Sequence, residues 1–205
     1  MAAANLNAVA FEIQAHRGND SLTLRRLLAG SPTSLELDVG LADGRLVVAH
    51  DVDHGDASGL AFEHALRLTN GTQPVVEAKC FPPETPSAHE FVQALRPYLA
   101  QVSVCSFSES LLAEISRLRG GVELTFLFDR PQPIVTVART IGPRHDVVTG
   151  ELVDAAHAVG LRVVPWTVND LRQMAELMDL GVDGLVTDEP ALAREVAQSR
   201  LAAVA

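Results

Sequence analysis

Residues 162–202 read RVVPWTVNDLRQMAELMDLGVDGLVTDEPALAREVAQSRLA. A short β-branched apolar run, RVVPWTV, gives way to a segment of helical periodicity, DLRQMAELMDL, and the pair then repeats as DGLVTD and EPALAREVAQSRLA. Strands joined through a helix run parallel, because so long a crossover carries the chain back to the end of the sheet from which it started.

The same alternation extends back through the chain. Strands are predicted at Ala8–Ala15, Ser34–Val39, Pro74–Lys79, Val102–Ser106, Glu123–Phe128, Asp146–Thr149, Arg162–Val168 and Asp183–Asp188. Between them lie SLTLRRLLA, LAFEHALRL, SAHEFVQALRPYL, SESLLAEISRL, PIVTVARTI (133–141) and ELVDAAHAV. Several of these helical segments open on a Ser or Asp and close on a glycine, as at Gly120, Gly160 and Gly181. Eight βα units in succession point to a (β/α)8 TIM barrel with few insertions, an α/β fold occupying residues 1–205 as one domain. No GxGxxG follows the first strand, which argues against a dinucleotide-binding sheet.

Composition narrows the function classes. With 47% apolar residues the chain can bury one large core, and a formal net charge of −10 excludes a general basic surface for nucleic acid. Cys80 and Cys105 lie in apolar stretches and are too few for a disulfide framework; buried thiols in a reducing compartment are expected rather than a redox or metal role. The opening MAAANLNAVAFEIQ lacks a basic region and reads as mature protein. No stretch approaches the ~20 apolar residues of a spanning helix. Neither a stable membrane anchor nor nucleic acid is therefore expected, and the expected location is cytoplasmic; the sequence leaves the oligomeric state undetermined.

In a barrel of this kind chemistry sits at the C-terminal ends of the strands. The first strand ends in His16 and Arg17, the second carries Glu36 and Asp38 two apart on one face, the third carries Glu77 and Lys79 on one face, the seventh Trp166, and the eighth ends at Asp188. Three carboxylates at one mouth repel each other unless a positive charge compensates them. A divalent cation does so, and an all-oxygen ligand set favours Mg2+ or Ca2+ over zinc. The competing structural reading pairs the same acids with Lys79 and Arg17.

Beyond the second strand, Asp43-Gly44 has the chemistry of a two-residue type I′ hairpin turn. A regular hairpin about it puts His50 opposite Leu37, on the wrong face for the carboxylates. A bulge, for instance at Gly40, or a bend at the hairpin's end is needed to turn it toward them. His16 and His50 would then flank the acids as a proton donor and acceptor, with Arg17 offering a two-pronged fork to a phosphate.

The series AHRG, LELDV, DGRLVVAHD, VVEAK, VPWTVN and GVDGLVTDEP, from Ala15 to Pro190, resembles the glycerophosphodiester phosphodiesterase family of the phosphatidylinositol-phospholipase-C-like barrel superfamily. The resemblance implies that Glu36, Asp38 and Glu77 hold Mg2+ or Ca2+, that His16 and His50 are the acid/base pair, and that Arg17 and Lys79 contact the phosphate. Trp166 would line the pocket, or else fill the barrel. The implied reaction is metal-dependent hydrolysis of a small-molecule glycerophosphodiester to glycerol 3-phosphate and an alcohol, a step of lipid metabolism. Two departures stand out. The family's Pro-Glu-Asn-Thr-like loop after HRG is cut to NDSLTL, leaving Asp20 as at best a partial substitute for its glutamate, and the Arg-Thr-Thr-like segment after VVAHD is replaced by DVDHGDASG, whose His54 reads as a solvated loop histidine rather than a site residue. Two alternatives follow: a phosphodiesterase for a lysophospholipid-type diester, and a non-catalytic barrel that binds a phosphorylated metabolite.

Overall fold

The computed structural model describes residues 11–50, 59–79 and 88–204. Eight parallel strands form the ring: β1 (Glu12–Ala15), β2 (Ser34–Ala42), β5 (Gln73–Ala78), β6 (Ser103–Ser106), β7 (Leu124–Phe128), β8 (Thr140–Pro143), β9 (Arg162–Val163) and β10 (Gly184–Thr187). Two short antiparallel strands, β3 (Arg45–Val48) and β4 (Leu60–Ala61), extend from β2. The hydrogen-bonded order is β10-β1-β2-β5-β6-β7-β8-β9. The last gap is bridged by three backbone hydrogen bonds, Asp183 N to Val163 O (2.8 Å), Val186 N to Pro165 O (2.9 Å) and Val168 N to Val186 O (2.8 Å). Pro165 donates nothing to the ladder, which is why β9 is short although its neighbours continue past it. The ring closes as a (β/α)8 barrel, with the first strand lying beside the last.

Seven α-helices surround the ring among the described residues: α1 (Ser21–Ala29), α2 (Phe62–Leu68), α3 (Ala88–Leu95), α4 (Glu109–Leu118), α5 (Gly150–Ala158), α6 (Leu171–Asp179) and α7 (Pro190–Val204). Their starts follow the capping chemistry: Asp20, Ser108, Thr149 and Asp170 each accept a backbone N–H from the first turn. Leu35, Leu37 and Val39 point outward from β2 into the main core with Leu24, Leu27, Phe62 and Phe91, all fully buried. Alternation then turns Glu36 and Asp38 inward. Removing either buried phenyl ring would cost about 3–5 kcal/mol.

The sixth βα unit differs from the sequence reading. Strand β8 lies at Thr140–Pro143 rather than Asp146–Thr149, which instead holds a 3₁₀ turn (His145–Val147) and the cap of α5. The segment 133–141, expected to be helical, forms no helix: 133–139 has no regular secondary structure and Thr140 and Ile141 open β8. Pro131 and Pro133 each lack a donor, and Val135, Thr136 and Val137 are β-branched. Glu109 at the start of α4 holds this stretch in place, accepting from Thr136 Oγ1 (2.7 Å) and Val137 N (2.8 Å). The first part of the predicted first strand, Cys80 and His54 lie outside the described residues; Cys105 is buried as expected.

Candidate active site

At the end of β1, His16 N still pairs with Thr187 O of β10 (2.9 Å), but Arg17 turns into the left-handed region with φ +55°. For an L-residue that conformation costs roughly 1–2 kcal/mol, and Gly18 N bonding to Glu36 O (2.8 Å) anchors the chain immediately after it. Arg17 Nε lies 3.5 Å from Asp38 Oδ2 and its Nη2 2.6 Å from His50 Nε2. A guanidinium only donates, so His50 Nε2 accepts this contact.

The hairpin leading to His50 is regular. Asp43 and Gly44 have φ +48° and +74°, as a type I′ turn requires, and Val39 pairs with Val48 without a bulge at Gly40. Ala49 N still bonds to Asp38 O (3.0 Å), and the chain bends at His50. Of the two ways to bring His50 inward, the bend is the one used.

His16 is held from the far end of the chain. Its Nδ1 lies 2.8 Å from Asp188 Oδ1, just beyond β10. Asp188 Oδ2 accepts from Asn169 Nδ2 (2.6 Å), while Asn169 Oδ1 accepts from Asp188 N (2.8 Å) and Thr187 Oγ1 (3.1 Å). The hydrogen bond from His16, aided by Asn169 and by the charges of His16 and Arg17, holds the Asp188 carboxyl below its usual range against partial burial.

Glu36, Asp38 and Glu77 are all buried, and one ligand oxygen from each lies within 4.8 Å of the others. Asp38 and Glu77 are in register across β2 and β5. Burial, followed by the charge of Glu77, pushes the Glu36 carboxyl well above its usual range. For Asp38 burial is the largest single influence and acts upward. The Lys79 charge, with the hydrogen bond from Asn19, outweighs it, so the carboxyl is lowered. Lys79 Nζ sits 2.6 Å from Glu77 Oε1 and 3.0 Å from Asp38 Oδ1. Burial depresses its ammonium, but the two carboxylates prevail and raise it.

These residues fit a hard divalent cation. Asp38 Oδ1 is buried with no aligned hydrogen bond, the nearby Lys79 contributing charge rather than a bond to its lone pair. Three inward carboxyl groups converge in a low-dielectric interior, and an ion with oxygen ligands would hold all three ionised, which Lys79 and the Arg17 guanidinium do not do for Glu36.

Three residues of the site were given no role from the sequence. Asp188 and Asn169 lie within the quoted segments GVDGLVTDEP and VPWTVN. Asn19 carried no signal: it donates from Nδ2 to Asp38 Oδ2 (2.7 Å) and accepts from Asp38 N at Oδ1 (3.0 Å). The expectation for Asp20 fails, because its carboxylate caps α1 through Leu22 N, Thr23 N and Thr23 Oγ1. Trp166 both fills and lines the barrel. It packs on Val75, Cys105 and Leu127, donates Nε1–H to Gly142 O (2.7 Å), and meets Phe107 edge-to-face at 5.5 Å. His89, His145 and His157 pair with Glu114, Gln173 and Asp183, away from these groups.

A parallel barrel whose strand ends gather carboxylates, imidazoles, a guanidinium and an ammonium has the groups that hydrolysis of a phosphoric diester requires. The comparison with protein families makes the assignment: the chain belongs to the glycerophosphoryl diester phosphodiesterase family, whose model matches residues 82–192. A glycerophosphodiester phosphodiesterase of Bacillus altitudinis is 27% identical over 232 residues, covering 87% of this chain and 95% of the relative. Among solved structures, a putative glycerophosphoryl diester phosphodiesterase from Silicibacter pomeroyi superposes with a TM-score of 0.80 at 20% identity, covering 93% and 94% of the two chains. A phosphodiesterase of Oleispira antarctica, in complex with the product sn-glycerol-3-phosphate, does so with a TM-score of 0.76 at 17% identity, covering 91% and 96%. The family match begins beyond Lys79, so the carboxylate cluster is assigned by its own geometry. Among the described residues no helix is long and apolar enough to cross a membrane.

Proposed function

We propose that the protein hydrolyses a small glycerophosphodiester to glycerol 3-phosphate and an alcohol, with Glu36, Asp38 and Glu77 holding Mg2+ or Ca2+ and with His16 and His50 moving the protons. The observation that carries this reading is the buried three-carboxylate cluster in contact with Lys79 and with Arg17, which in turn holds His50. The cation, when bound, supplies positive charge at the phosphoryl oxygens and at the attacking hydroxyl.

The remaining steps belong to the chain's own side chains. Arg17 offers a fork to two non-bridging oxygens, and Lys79, at the end of β5, adds a second positive charge. His16 donates Nδ1–H to Asp188, which leaves Nε2 as its basic nitrogen and stabilises the imidazolium formed when it takes the attacking group's proton. His50 is the partner acid. Its Nε2 is engaged by Arg17 here; once the guanidinium moves to the phosphate, that nitrogen carries the proton delivered to the departing alkoxide as the phosphorus–oxygen bond breaks. The new phosphorus–oxygen bond and the two proton transfers balance the hydrolysis.

Purified protein supplied with glycerophosphoethanolamine and Mg2+ or Ca2+ should release glycerol 3-phosphate and stop in excess chelator. His16→Ala and His50→Ala should each lose about 10²–10⁴-fold in kcat. Undiminished turnover in both variants would overturn the reading.

A further inference from the structure

The barrel closes beside its shortest parallel strand, β9, and the support of His16 crosses that seam. Beyond β9 the chain rejoins β10 through Val168 N and Val186 O (2.8 Å), and the next residue is Asn169. Its side chain reaches Thr187 and Asp188 at the end of β10, while His16 follows β1 on the other side. The amide has one orientation. Asp188 N (2.8 Å) and the Thr187 hydroxyl (3.1 Å) both donate to Oδ1, and Thr187 Oγ1 itself accepts from Glu189 N (2.9 Å), so its proton goes to Asn169. Nδ2 is thereby aimed at Asp188 Oδ2 (2.6 Å). The two bonds to Oδ1 suffice to tie the loop to β10; the third is spent on the carboxylate whose other oxygen meets His16 Nδ1 (2.8 Å). Neighbouring carboxylates are committed elsewhere: Asp170 caps α6 through Gln173 N (2.9 Å), and Glu189 faces Arg26 (3.6 Å).

We infer that Asn169 is a positioning residue for the proton transfer at His16, holding the Asp188 carboxylate in the one orientation that keeps the imidazole protonated at Nδ1. The inference rests on the proposed function and adds a third member to its base. The Asp188 side chain is 40% exposed, so water competes for its oxygens, and the torsion that turns a carboxylate has only broad minima of its own. With Oδ2 gripped by the amide, Oδ1 faces the imidazole. An acceptor fixed there selects the Nδ1–H tautomer and leaves the lone pair on Nε2, where the proton is to be taken. Asn169 thus acts through Asp188, across three strands that meet only because the barrel closes.

The test combines nitrogen NMR of isotope-labelled histidines, at a pH where the imidazoles are neutral, with kinetics on glycerophosphoethanolamine. Wild-type His16, assigned by comparison with His16→Ala, should show the Nδ1–H form. Asn169→Ala should lose that preference and lower kcat by about 10-fold or more at an unchanged KM, the scale of removing a group that orients a reacting one. Added to Asp188→Asn, it should change kcat by less than about twofold, because nothing is left for it to orient. Asp188→Asn alone sets two donors, His16 Nδ1–H and Asn169 Nδ2–H, against an amide with one acceptor oxygen. Combining Asp188→Asn with Asn169→Asp exchanges donor and acceptor between the two positions and should restore the Nδ1–H form, while kcat stays low because the counter-charge no longer touches His16. This exchanged pair keeps both side-chain sizes, so it decides the matter even if Asn169→Ala does not fold. An unchanged tautomer in Asn169→Ala, with or without a lower kcat, overturns the inference and leaves the diesterase reading standing; so do additive losses with Asp188→Asn, or no restoration in the exchanged pair. No turnover by the wild type overturns the diesterase reading and the catalytic part of Asn169 with it.

Discussion

Asn19→Ala is the perturbation whose size follows most directly from the structure. Asn19 sits in the short loop after Arg17 and grips Asp38 twice, donating to its carboxylate at 2.7 Å and accepting from its backbone N–H at 3.0 Å. Asp38 is fully buried, so water cannot replace either bond. A hydrogen bond to a charged group is worth about 1.5–3 kcal/mol and one to a backbone amide about 1 kcal/mol; with Asn19 itself only half-buried, a loss of about 2–3 kcal/mol is expected. For a chain of this length that lowers the melting temperature by about 4–12 °C. Asp38 would also lose part of what holds its carboxyl low, and its unaligned oxygen would no longer be aimed by a fixed partner. The apparent affinity for the cation should fall about 10–100-fold, the usual cost of removing a group that orients a metal ligand. Thermal unfolding in chelator and across a Mg2+ or Ca2+ titration reads both quantities. An Asn19→Ala protein that melts with wild type in chelator and is stabilised by the same cation concentrations would refute the reasoning.

Other expectations follow from neighbouring groups. Glu36 has a folded-state pKa raised well above its ordinary 4.5, so the folded state holds the proton more tightly than the unfolded one; without cation, stability should fall as pH rises from 4.5 through the folded value, and Glu36→Gln should remove that fall in pH-dependent melting. Asp188→Asn should lower kcat by about 10²–10⁴-fold, because the imidazolium of His16 loses its counter-charge, and should displace the pH–rate profile while cation binding measured by calorimetry persists. Gly142→Ala should cost about 1–3 kcal/mol in denaturant unfolding, since the added methyl must displace Leu127 from a packed wall.

Much of this architecture was legible because local rules and the fold agree. Helix α1 starts and stops where Asp20 and Gly30 place its caps, and Glu36 and Asp38 fall on the inner face by simple alternation. The sixth unit was not legible: PIVTVARTI has apolar spacing compatible with a helix, and the hydrogen bonds that hold it out of one come from Glu109 of an earlier unit. The His50 register problem was real, and the solution, a bend after Ala49, depends on where the hairpin's pairing stops. His16 and Asp188 are 172 residues apart, and their contact exists only because closure sets β10 beside β1. Asn19 escaped notice because a side-chain amide in a loop has no periodicity, while its neighbour Asp20 offered the more conspicuous carboxylate and spends it on a helix cap.

The central claim is that Glu36, Asp38 and Glu77 form one cation site. Anomalous diffraction from crystals soaked in Mn2+, an ion with the same preference for oxygen ligands, tests it most directly. A single peak among the three carboxylates, with an oxygen from each at about 2.0–2.6 Å, is the expected result. A map with no peak there, and with Lys79 still bridging Glu77 and Asp38, would contradict it.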